Sequence, residues 1–313
     1  MSFLQKKIFD LFPSSFGLDL SDLSIKVLRM ESEGKLHRVS GYTSAALPVG
    51  SVIDGEILKP EIVIDVMRKL MENPTMKKMH TRKVMCSLPE TKAFLRVISL
   101  PKMDEKEVQG AIQWEIEANI PLTLDQVYYD WQILDETLSV EAGKMNILVV
   151  AVARSAVDQF VEVLEAAGLE VVGLETESIA QARSLLAETE EKATTLIVDI
   201  GDRRTSFLIA VGSTPCFTSS VPLSSQMITD SIAKDLRISF QEAEDIKIKQ
   251  GLGSIALRGP VLKAALPVLE SIAAEIEKSI DFYLENLHYS KGIDTIVLCG
   301  GGANMKGLLP YMT

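Results

Sequence analysis

The feature that most constrains the fold is an acidic turn that occurs twice, as FGLDLSDLS at residues 16–24 and as LIVDIGDRRTS at residues 196–206. In each copy an apolar strand carries an aspartate, Asp19 or Asp199, and a small residue, a second aspartate and a hydroxyl follow. The alternation of apolar and polar residues on both sides predicts a β-hairpin at each position. Because the two aspartates are 180 residues apart, we expect two related domains.

A hairpin tip of this kind is suited to binding phosphate. The small residues Ser21 and Gly201 let an anion approach backbone N–H groups, which we expect to point outward from the tip. Asp19 and Asp199 would then lie where a hydrated Mg²⁺ bridges them to the phosphates, since carboxylates are its usual protein partners. An ordinary turn is the alternative, because aspartate and glycine favour tight turns for conformational reasons alone.

Composition limits the class of function. The 313 residues are 47% apolar, which is enough for two domains with substantial cores. Acidic residues outnumber basic ones by 43 to 32, and the net charge of -11 repels a phosphate backbone, so no nucleic acid partner is expected. The three cysteines are far apart, fit no metal-ligand spacing and suit a reducing cytoplasm.

The sequence favours a cytosolic protein. It contains no apolar run near the roughly 18 residues that a membrane span requires, and its N-terminus lacks the features of a signal peptide. Leu4, Ile8, Leu11 and Phe12 recur at helical spacing. We expect a helix docked on its own domain there, and a short membrane-surface helix is the alternative.

Three parts are predicted along the chain. They are a first-domain core at residues 1–83 and 166–190, an inserted subdomain at 84–165, and a second domain at 191–313 with a helical part at 231–290. Within the first domain, the pattern predicts a helix at 60–72 that begins at Pro60 and carries Ile62, Val66 and Leu70 on one face.

The inserted part carries the pattern strand, strand, helix, strand, strand, helix, which we expect to form a self-contained α+β block. Its first helix has an apolar stripe formed by Val108, Ile112, Ile116 and Ile120. Trp114 lies off this stripe, so it is expected either to contact a partner or to belong to a second buried face.

A glycine-rich turn lies near the end of the chain. Leu298 ends an apolar strand, Gly300, Gly301 and Gly302 follow, and a helix is expected from about Asn304. This is the layout of a phosphate or nucleoside site at a helix N-terminus. The pattern matches neither the Walker motif nor GxGxxG, so the glycines alone do not identify the ligand.

The two acidic hairpins, the helix before the second hairpin and the late strand with GGGA resemble the ATPase fold of actin, Hsp70 and the sugar kinases. The resemblance implies an α/β fold of two domains, with ATP between them and Mg²⁺ held through water by Asp19 and Asp199. The implied phosphate-binding residues are Ser21, Asp22, Leu23, Ser24, Lys26, Gly201, Asp202, Arg203, Arg204 and Thr205. The implied nucleoside-binding residues are Glu244, Lys247, Gly300, Gly301, Gly302 and Ala303.

The catalytic role is open at this stage. LETESIAQA is similar to the segment where an acidic residue of the superfamily places the attacking water or the metal, which implies that role for Glu175. Thr176 follows it, where the superfamily usually has proline. Arg203 and Arg204 are expected either to neutralise phosphate charge or to face solvent. Slow or no ATP hydrolysis is the expectation.

The inserted block distinguishes branches of this superfamily. Actin and Hsp70 lack such an SHS2-like α+β subdomain in the first domain, whereas the FtsA and PilM families have one. AIQWEIEANIPLTLDQVYYDWQIL, EIEKSIDFYLE and VLCGGGANMKGL resemble the PilM family of type IV pilus assembly proteins.

The resemblance to the PilM family implies a cytoplasmic scaffold at the cytoplasmic face of the inner membrane, in a pilus or a related type II secretion machine. Its implied partner is the cytoplasmic N-terminal peptide of PilN, with pilus ATPases and other inner-membrane pilus components as further partners. Membrane association would be indirect, through the partner.

Two other functions are considered. An FtsA-like cell-division protein would carry a C-terminal membrane-binding helix, and no such pattern occurs before Thr313. A sugar-kinase-type phosphotransferase needs an aspartate base aimed at a hydroxyl, and no Gly-x-Asp motif precedes the second hairpin to supply one.

Overall fold

The computed structural model of the chain describes residues 15–33, 36–120, 122–134, 143–186, 193–253, 259–286 and 292–313. The predicted N-terminal stripe of Leu4, Ile8, Leu11 and Phe12 lies outside these residues. None of the described helices has both the length and the apolar character needed to cross a bilayer.

The chain divides into two compact units. Unit 1 comprises Met1–Ala93, Asp125–Tyr128 and Val152–Glu177. Unit 2 comprises Phe94–Leu124, Tyr129–Ala151 and Ser178–Thr313.

Strands and helices alternate along much of the chain. The strands are β1 (Phe16–Leu20), β2 (Ser24–Glu33), β3 (Leu36–Ala46), β4 (Val52–Ile53), β5 (Glu56–Ile57), β6 (Lys83–Leu88), β7 (Ala93–Pro101), β8 (Val127–Ile133), β9 (Lys144–Ala153), β10 (Glu170–Thr176), β11 (Thr194–Ile200), β12 (Thr205–Val211), β13 (Thr214–Val221) and β14 (Thr295–Cys299). The helices are α1 (Pro60–Met71), α2 (Pro74–Met79), α3 (Glu105–Asn119), α4 (Arg154–Ala166), α5 (Glu177–Leu185), α6 (Ser225–Leu236), α7 (Phe240–Gln250), α8 (Pro260–Asn286) and α9 (Leu308–Met312).

The first sheet lies in unit 1 and has the strand order β10-β6-β1-β2-β3. β1 and β2 form the predicted first hairpin, with Asp19 directly opposite Lys26. β1 is also parallel to β6, and β6 is parallel to β10. The carboxyl ends of these three strands therefore lie at the same edge of the sheet.

Helix α1 confirms the predicted helix, but its buried face is different. The buried residues are Val63, Met67 and Leu70, whereas Ile62 and Val66 are only half-buried. The segment has apolar residues on several faces of the helix, so its periodicity does not determine which face is buried. Packing against α4 and β3 selects the buried face instead.

The second sheet has the order β14-β11-β12-β13-β7-β9-β8. β11 and β12 form the predicted second hairpin, and β14 is parallel to β11. One face of β11, formed by Leu196, Val198 and Ile200, packs in a core with residues of α6 and α8. Ile197 on the other face packs with Ala182 of α5. Both faces of β11 are therefore covered, which accounts for the consecutive apolar residues at 196–198.

The observed sheets differ from the expected self-contained block at 84–165. β6 pairs with β1 and β10 in the first sheet, and α4 packs on α1. β7, β8 and β9 belong to the second sheet, in which Phe217 of β13 pairs with Arg96 of β7. Local patterns identified the strands, but their neighbours depend on distant segments. The domain bounds themselves stay a prediction.

Helix α3 has the predicted stripe. Val108, Ile112 and Ile116 are buried, and so is Ile120, which follows the helix. Trp114 is 76% exposed, so its assignment to a second buried face is wrong.

Candidate functional site

Two predicted acidic residues of unit 1, Asp19 and Glu175, lie at the carboxyl ends of parallel strands. Glu175 of β10 pairs with Ser87 of β6. The Ser87 hydroxyl donates a hydrogen bond to Asp19 Oδ1 of β1, at 3.4 Å. Ligands commonly bind at the carboxyl ends of parallel strands, so the fold has brought Asp19 and Glu175 to the same edge from positions 156 residues apart.

Asp19 also has a basic partner. Its Oδ2 lies 3.0 Å from the Nζ of Lys26, and the two side chains are 38% and 51% exposed. The predicted phosphate contact of Lys26 would therefore compete with this ion pair. Because the pair is exposed, it contributes little to stability.

The tip of the first hairpin uses its polar groups internally. The Ser21 amide donates to the Ser24 carbonyl at 2.9 Å, and the Ser21 hydroxyl donates to the same oxygen at 3.1 Å. The Leu23 carbonyl accepts from the Leu47 amide at 2.8 Å. Closing the turn therefore engages the Ser21 amide, and the expected binding of an anion at this tip stays a prediction.

Asp22 braces the tip instead of pointing outward. Its two carboxylate oxygens accept from the amides of Asp54 and Gly55, at 3.0 and 3.1 Å. These two residues form the turn between β4 and β5, and a Cβ on Gly55 would overlap Pro89. The side chain of Asp22 thus fixes one turn to another, and a carboxylate would in any case repel phosphate.

Negative charge gathers near Cys86, the residue before Ser87. Burial raises the pKa of its thiol well above the ordinary range, and the carboxylates of Asp19 and Glu177 raise it further. The thiol is therefore protonated at neutral pH. Cys86 is a buried apolar residue of the sheet rather than a nucleophile.

In unit 2, the second hairpin ends in a tight turn. The Gly201 amide donates to the Arg204 carbonyl at 2.9 Å, and a Cβ on Gly201 would lie 2.8 Å from that carbonyl oxygen. The Gly201 amide is thus also engaged in closing its turn. Asp202 and Arg203 are the exposed residues of the turn, and Asp199 accepts a hydrogen bond from Gln181 of α5.

Two predicted phosphate contacts point elsewhere. The Arg204 guanidinium donates to the hydroxyl and the carbonyl of Ser220, at 3.0 and 3.1 Å, which fixes it to β13. Thr205 is fully buried, and its hydroxyl donates to the Leu223 carbonyl at 2.8 Å. The Thr205 hydroxyl would have to give up this bond to meet a phosphate, so its predicted phosphate contact stays a prediction. Of the two arginines, Arg203 is exposed and Arg204 is half-buried.

The glycine loop packs against the end of β11. Gly300 has a φ of 80°, and a Cβ on it would overlap the Asp199 carboxylate and lie 2.7 Å from the Ile200 carbonyl oxygen. A Cβ on Gly302 would overlap the Ile200 side chain, whereas one on Gly301 would meet open space. Two of the three glycines are thus required by contact with the chain itself, and Gly301 is the one with space for a ligand.

The helix expected from about Asn304 begins four residues later. Gly302–Asn304 form a single 3₁₀ turn that includes the half-buried Ala303. Helix α9 begins at Leu308, after Gly307 with its φ of 83°. This turn is too short to provide the helix-terminal phosphate site predicted from the glycines.

Cys299 directly precedes the glycine loop. It pairs with Asp199 in the parallel ladder of β11 and β14. Burial raises its pKa to about 12, and the Asp199 carboxylate contributes to the rise. The interpretation of Cys299 as a small strand residue is therefore favoured over a reactive thiol.

Glu244 and Lys247, the predicted nucleoside contacts, form an ion pair on α7 at 2.8 Å. Lys247 is buried, with 6% exposure. Its Nζ also lies 2.8 Å from the hydroxyl and 3.1 Å from the carbonyl of Ser225. Glu244 in turn accepts from the hydroxyl of Thr229 at 2.5 Å. Lys247 is therefore directed into the protein.

Sequence reasoning missed three polar residues that contact the predicted site residues, one in unit 1 and two in unit 2. Ser87 donates to Asp19 and pairs with Glu175 in the ladder, Gln181 contacts Asp199, and Ser225 joins Lys247 to the second hairpin. Ser225 follows Ser224, which caps α6 by accepting from the Met227 amide, so a helix start was readable there. For Ser87 and Gln181 the sequence carries no local signal.

The carboxylates alone do not form a closed metal site. Within the described ranges, no group of three or more His, Cys, Asp or Glu residues lies close enough together to hold a metal ion. Asp19 remains partly exposed, which fits an ion bound through its water shell.

Comparison with known proteins identifies the family. The family model described as type IV pilus assembly protein PilM matches residues 17–313. A solved PilM-PilN type IV pilus biogenesis complex is similar over 96% of this chain and 85% of its own, with a TM-score of 0.79 and 26% identity.

A more distant solved structure has the same fold, and a curated relative matches part of the sequence. MreB5 of Spiroplasma citri bound to ADP matches 95% of this chain and 87% of its own, with a TM-score of 0.52 and 16% identity. Cell division protein FtsA of Pseudomonas aeruginosa is 30% identical over 158 residues, which are 45% of this chain and 38% of FtsA. The chain thus spans about two fifths of the length of that curated relative.

The fold expected from the two hairpins is therefore correct. The chain has the mixed α/β actin-like ATPase fold. The match of the family model over nearly the whole chain identifies the family within this fold. The chain belongs to the type IV pilus assembly protein PilM family.

Proposed function

We propose that this protein is an ATP-binding scaffold of type IV pilus assembly that binds the cytoplasmic N-terminal tail of PilN. The observation that carries the proposal is the similarity to the PilM-PilN complex across 96% of the chain at 26% identity. The proposed location is the cytoplasmic face of the inner membrane, with PilN as the link to the membrane.

The proposal includes nucleotide binding. MreB5 shares the fold and was solved with ADP, and this chain has the paired acidic hairpins. Bound Mg²⁺ would neutralise phosphate charge, and Asp19 and Asp199 are the residues proposed to hold it through water. Glu175 is proposed to orient a water, and the exposed residues Asp202 and Arg203, with Gly301, are proposed to face the nucleotide in unit 2.

Calorimetry with MgATP tests the nucleotide part. We expect saturable binding by the wild-type chain and its loss in Asp19→Ala combined with Asp199→Ala. Because Arg38 is exposed and lies opposite Glu31, five residues along β2 from the Lys26 that faces Asp19, Arg38→Ala serves as the surface control. Phosphate release measured on the same samples determines whether the protein also hydrolyses ATP. Absence of binding by the wild-type chain would contradict the nucleotide part.

Fluorescence anisotropy with a labelled PilN N-terminal peptide tests the scaffold part. We expect specific binding whose affinity changes when MgATP is added, because the proposal links the nucleotide to the partner. A peptide with the same composition in scrambled order is the control. Equal binding of both peptides would contradict the scaffold function even if ATP binds.

FtsA-like cell division is the second candidate, and the identity to FtsA favours it over a kinase. That similarity covers 158 residues, whereas the PilM family model matches residues 17–313. The pilus function is therefore the better supported of the two. A cell-division defect on loss of this protein, together with no binding of the PilN peptide, would reverse this choice.

A further inference from the structure

The buried ammonium of Lys247 has all its hydrogens engaged within unit 2. An ammonium has three N–H donors, and the structure provides three acceptors within 3.1 Å. They are Glu244 Oε2 at 2.8 Å, the Ser225 hydroxyl at 2.8 Å and the Ser225 carbonyl at 3.1 Å. Because the side chain is 6% exposed, it has neither the donors nor the access to reach a nucleoside.

These contacts connect Lys247 to the turn of the second hairpin. Ser225 is the first residue of α6, and its amide donates to the Gly201 carbonyl at 2.9 Å. The next amide, of Gln226, donates to the Asp202 carbonyl at 3.2 Å. The start of α6 therefore holds the turn by two backbone hydrogen bonds, and Lys247 holds the start of α6.

Glu244 fixes Lys247 from the opposite side. Its Oε2 accepts from both the Lys247 ammonium and the hydroxyl of Thr229, which is fully buried in α6. The charge pair thus joins α6 and α7 at two points, Ser225 and Thr229. Buried hydrogen-bonded pairs of this kind favour a single arrangement of the elements they join.

We propose that Lys247 is a positioning residue, which holds the Gly201–Asp202 turn in its binding geometry through Ser225, and that it makes no contact with the nucleoside. The expected effect of Lys247 on phosphate binding rests on the proposed nucleotide function. The mechanical link from Lys247 to the turn exists without a ligand.

Amide hydrogen exchange of the nucleotide-free protein tests this link. Lys247→Met keeps a long apolar stem and removes the donors, so we expect the amides of Ser225 and Gln226 to exchange about tenfold faster or more. Lys249→Met is the matched control, because Lys249 lies two residues away, is 71% exposed and pairs with Asp245. Unchanged exchange at Ser225 and Gln226 in a folded Lys247→Met protein would overturn the proposal, whether or not the chain binds ATP.

Binding of three phosphate ligands then separates positioning from nucleoside recognition. ATP, GTP and inorganic tripolyphosphate share the phosphate chain, and the last has no nucleoside. If Lys247 positions the phosphate-binding turn, Lys247→Met weakens all three by a similar factor. If tripolyphosphate binding is unchanged while ATP binding falls, Lys247 recognises the nucleoside and the proposal is wrong.

Two further variants keep the proposal testable if Lys247→Met does not fold. Ser225→Ala removes one acceptor but leaves the backbone intact, so we expect a smaller rise in exchange at the same two amides. Lys247→Arg retains a buried cation with several donors, and we expect it to preserve slow exchange. Ser225→Ala with unchanged exchange would count against the link. Absence of ATP binding by the wild-type chain would contradict the proposed function and leave the exchange result valid.

Discussion

Gly300 lies so close to Asp199 that a Cβ atom on it would overlap the carboxylate. The same atom would lie 2.7 Å from the Ile200 carbonyl oxygen, and Gly300 has a φ of 80°. Both the space and the backbone conformation therefore require glycine. The glycine loop and the second acidic hairpin are thus packed as one structure within unit 2.

We expect Gly300→Ala to lower the free energy of unfolding by about 1–3 kcal/mol, because it combines a left-handed backbone with a steric overlap. Gly301→Ala is the matched control, since its Cβ would meet open space, and we expect a change within about 0.5 kcal/mol. Urea unfolding followed by circular dichroism measures both. Equal stability of the two variants would contradict the close packing of Gly300 against Asp199 and Ile200.

Thr205→Val should destabilise the protein by about 1–3 kcal/mol, because it leaves the Leu223 carbonyl without its hydroxyl donor inside the protein. Thr205→Ser keeps the hydroxyl and should retain that hydrogen bond. The comparison of the two in urea separates the hydrogen bond from the loss of a methyl group. If Thr205→Val were as stable as wild type but bound ATP less well, the hydroxyl would have the phosphate role that its burial argues against.

Trp114→Ala should change the free energy of unfolding by no more than about 0.5 kcal/mol, because the side chain is 76% exposed. Ile112→Ala on the buried face of the same helix should cost about 2–5 kcal/mol. We also expect Trp114→Ala to weaken binding of the PilN peptide, since an exposed tryptophan is well suited to anchor a partner. Gln109→Ala, an exposed change on α3, is the control, and equal peptide affinity of the two variants would exclude Trp114 from the interface.

Cys299 makes stability depend on alkaline pH. Its pKa is raised from 9.0 to about 12 by burial and by Asp199, so the unfolded chain loses this proton first as the pH rises. The raised pKa therefore stabilises the folded state fully below about pH 9, and this stabilisation is lost progressively as the pH rises from about 9 to 12. Cys299→Ala should flatten the decline in unfolding free energy across that window. A decline of equal slope in both proteins would assign the effect to other groups.

The raised pKa values of Cys86 and Cys299 also predict slow reaction with thiol reagents. At pH 8 both thiols are protonated in the folded protein, and the thiolate is the reactive form. We expect Ellman's reagent to label them quickly only in urea. Rapid labelling of the folded protein at either position would mean that the site opens readily.

The sequence by itself determined the elements with local patterns. Alternation about small turn residues located both acidic hairpins, and the stripe from Val108 to Ile116 located the buried face of α3. Short motifs, whose residues are close together in the chain, also led to the correct fold and family. These features succeed because turn chemistry and the periods of strand and helix depend on neighbouring residues.

Only the tertiary structure decided what each site residue contacts. The sequence places Lys247 on a helix but does not reveal that Ser225, 22 residues away, accepts from two of its three donors. It identifies β6 as a strand but not that β1 and β10 are its neighbours. It shows the glycines after β14 but not that Asp199 and Ile200 fill the space beside two of them. Such contacts join residues far apart in the chain, so they are determined by packing rather than by local pattern.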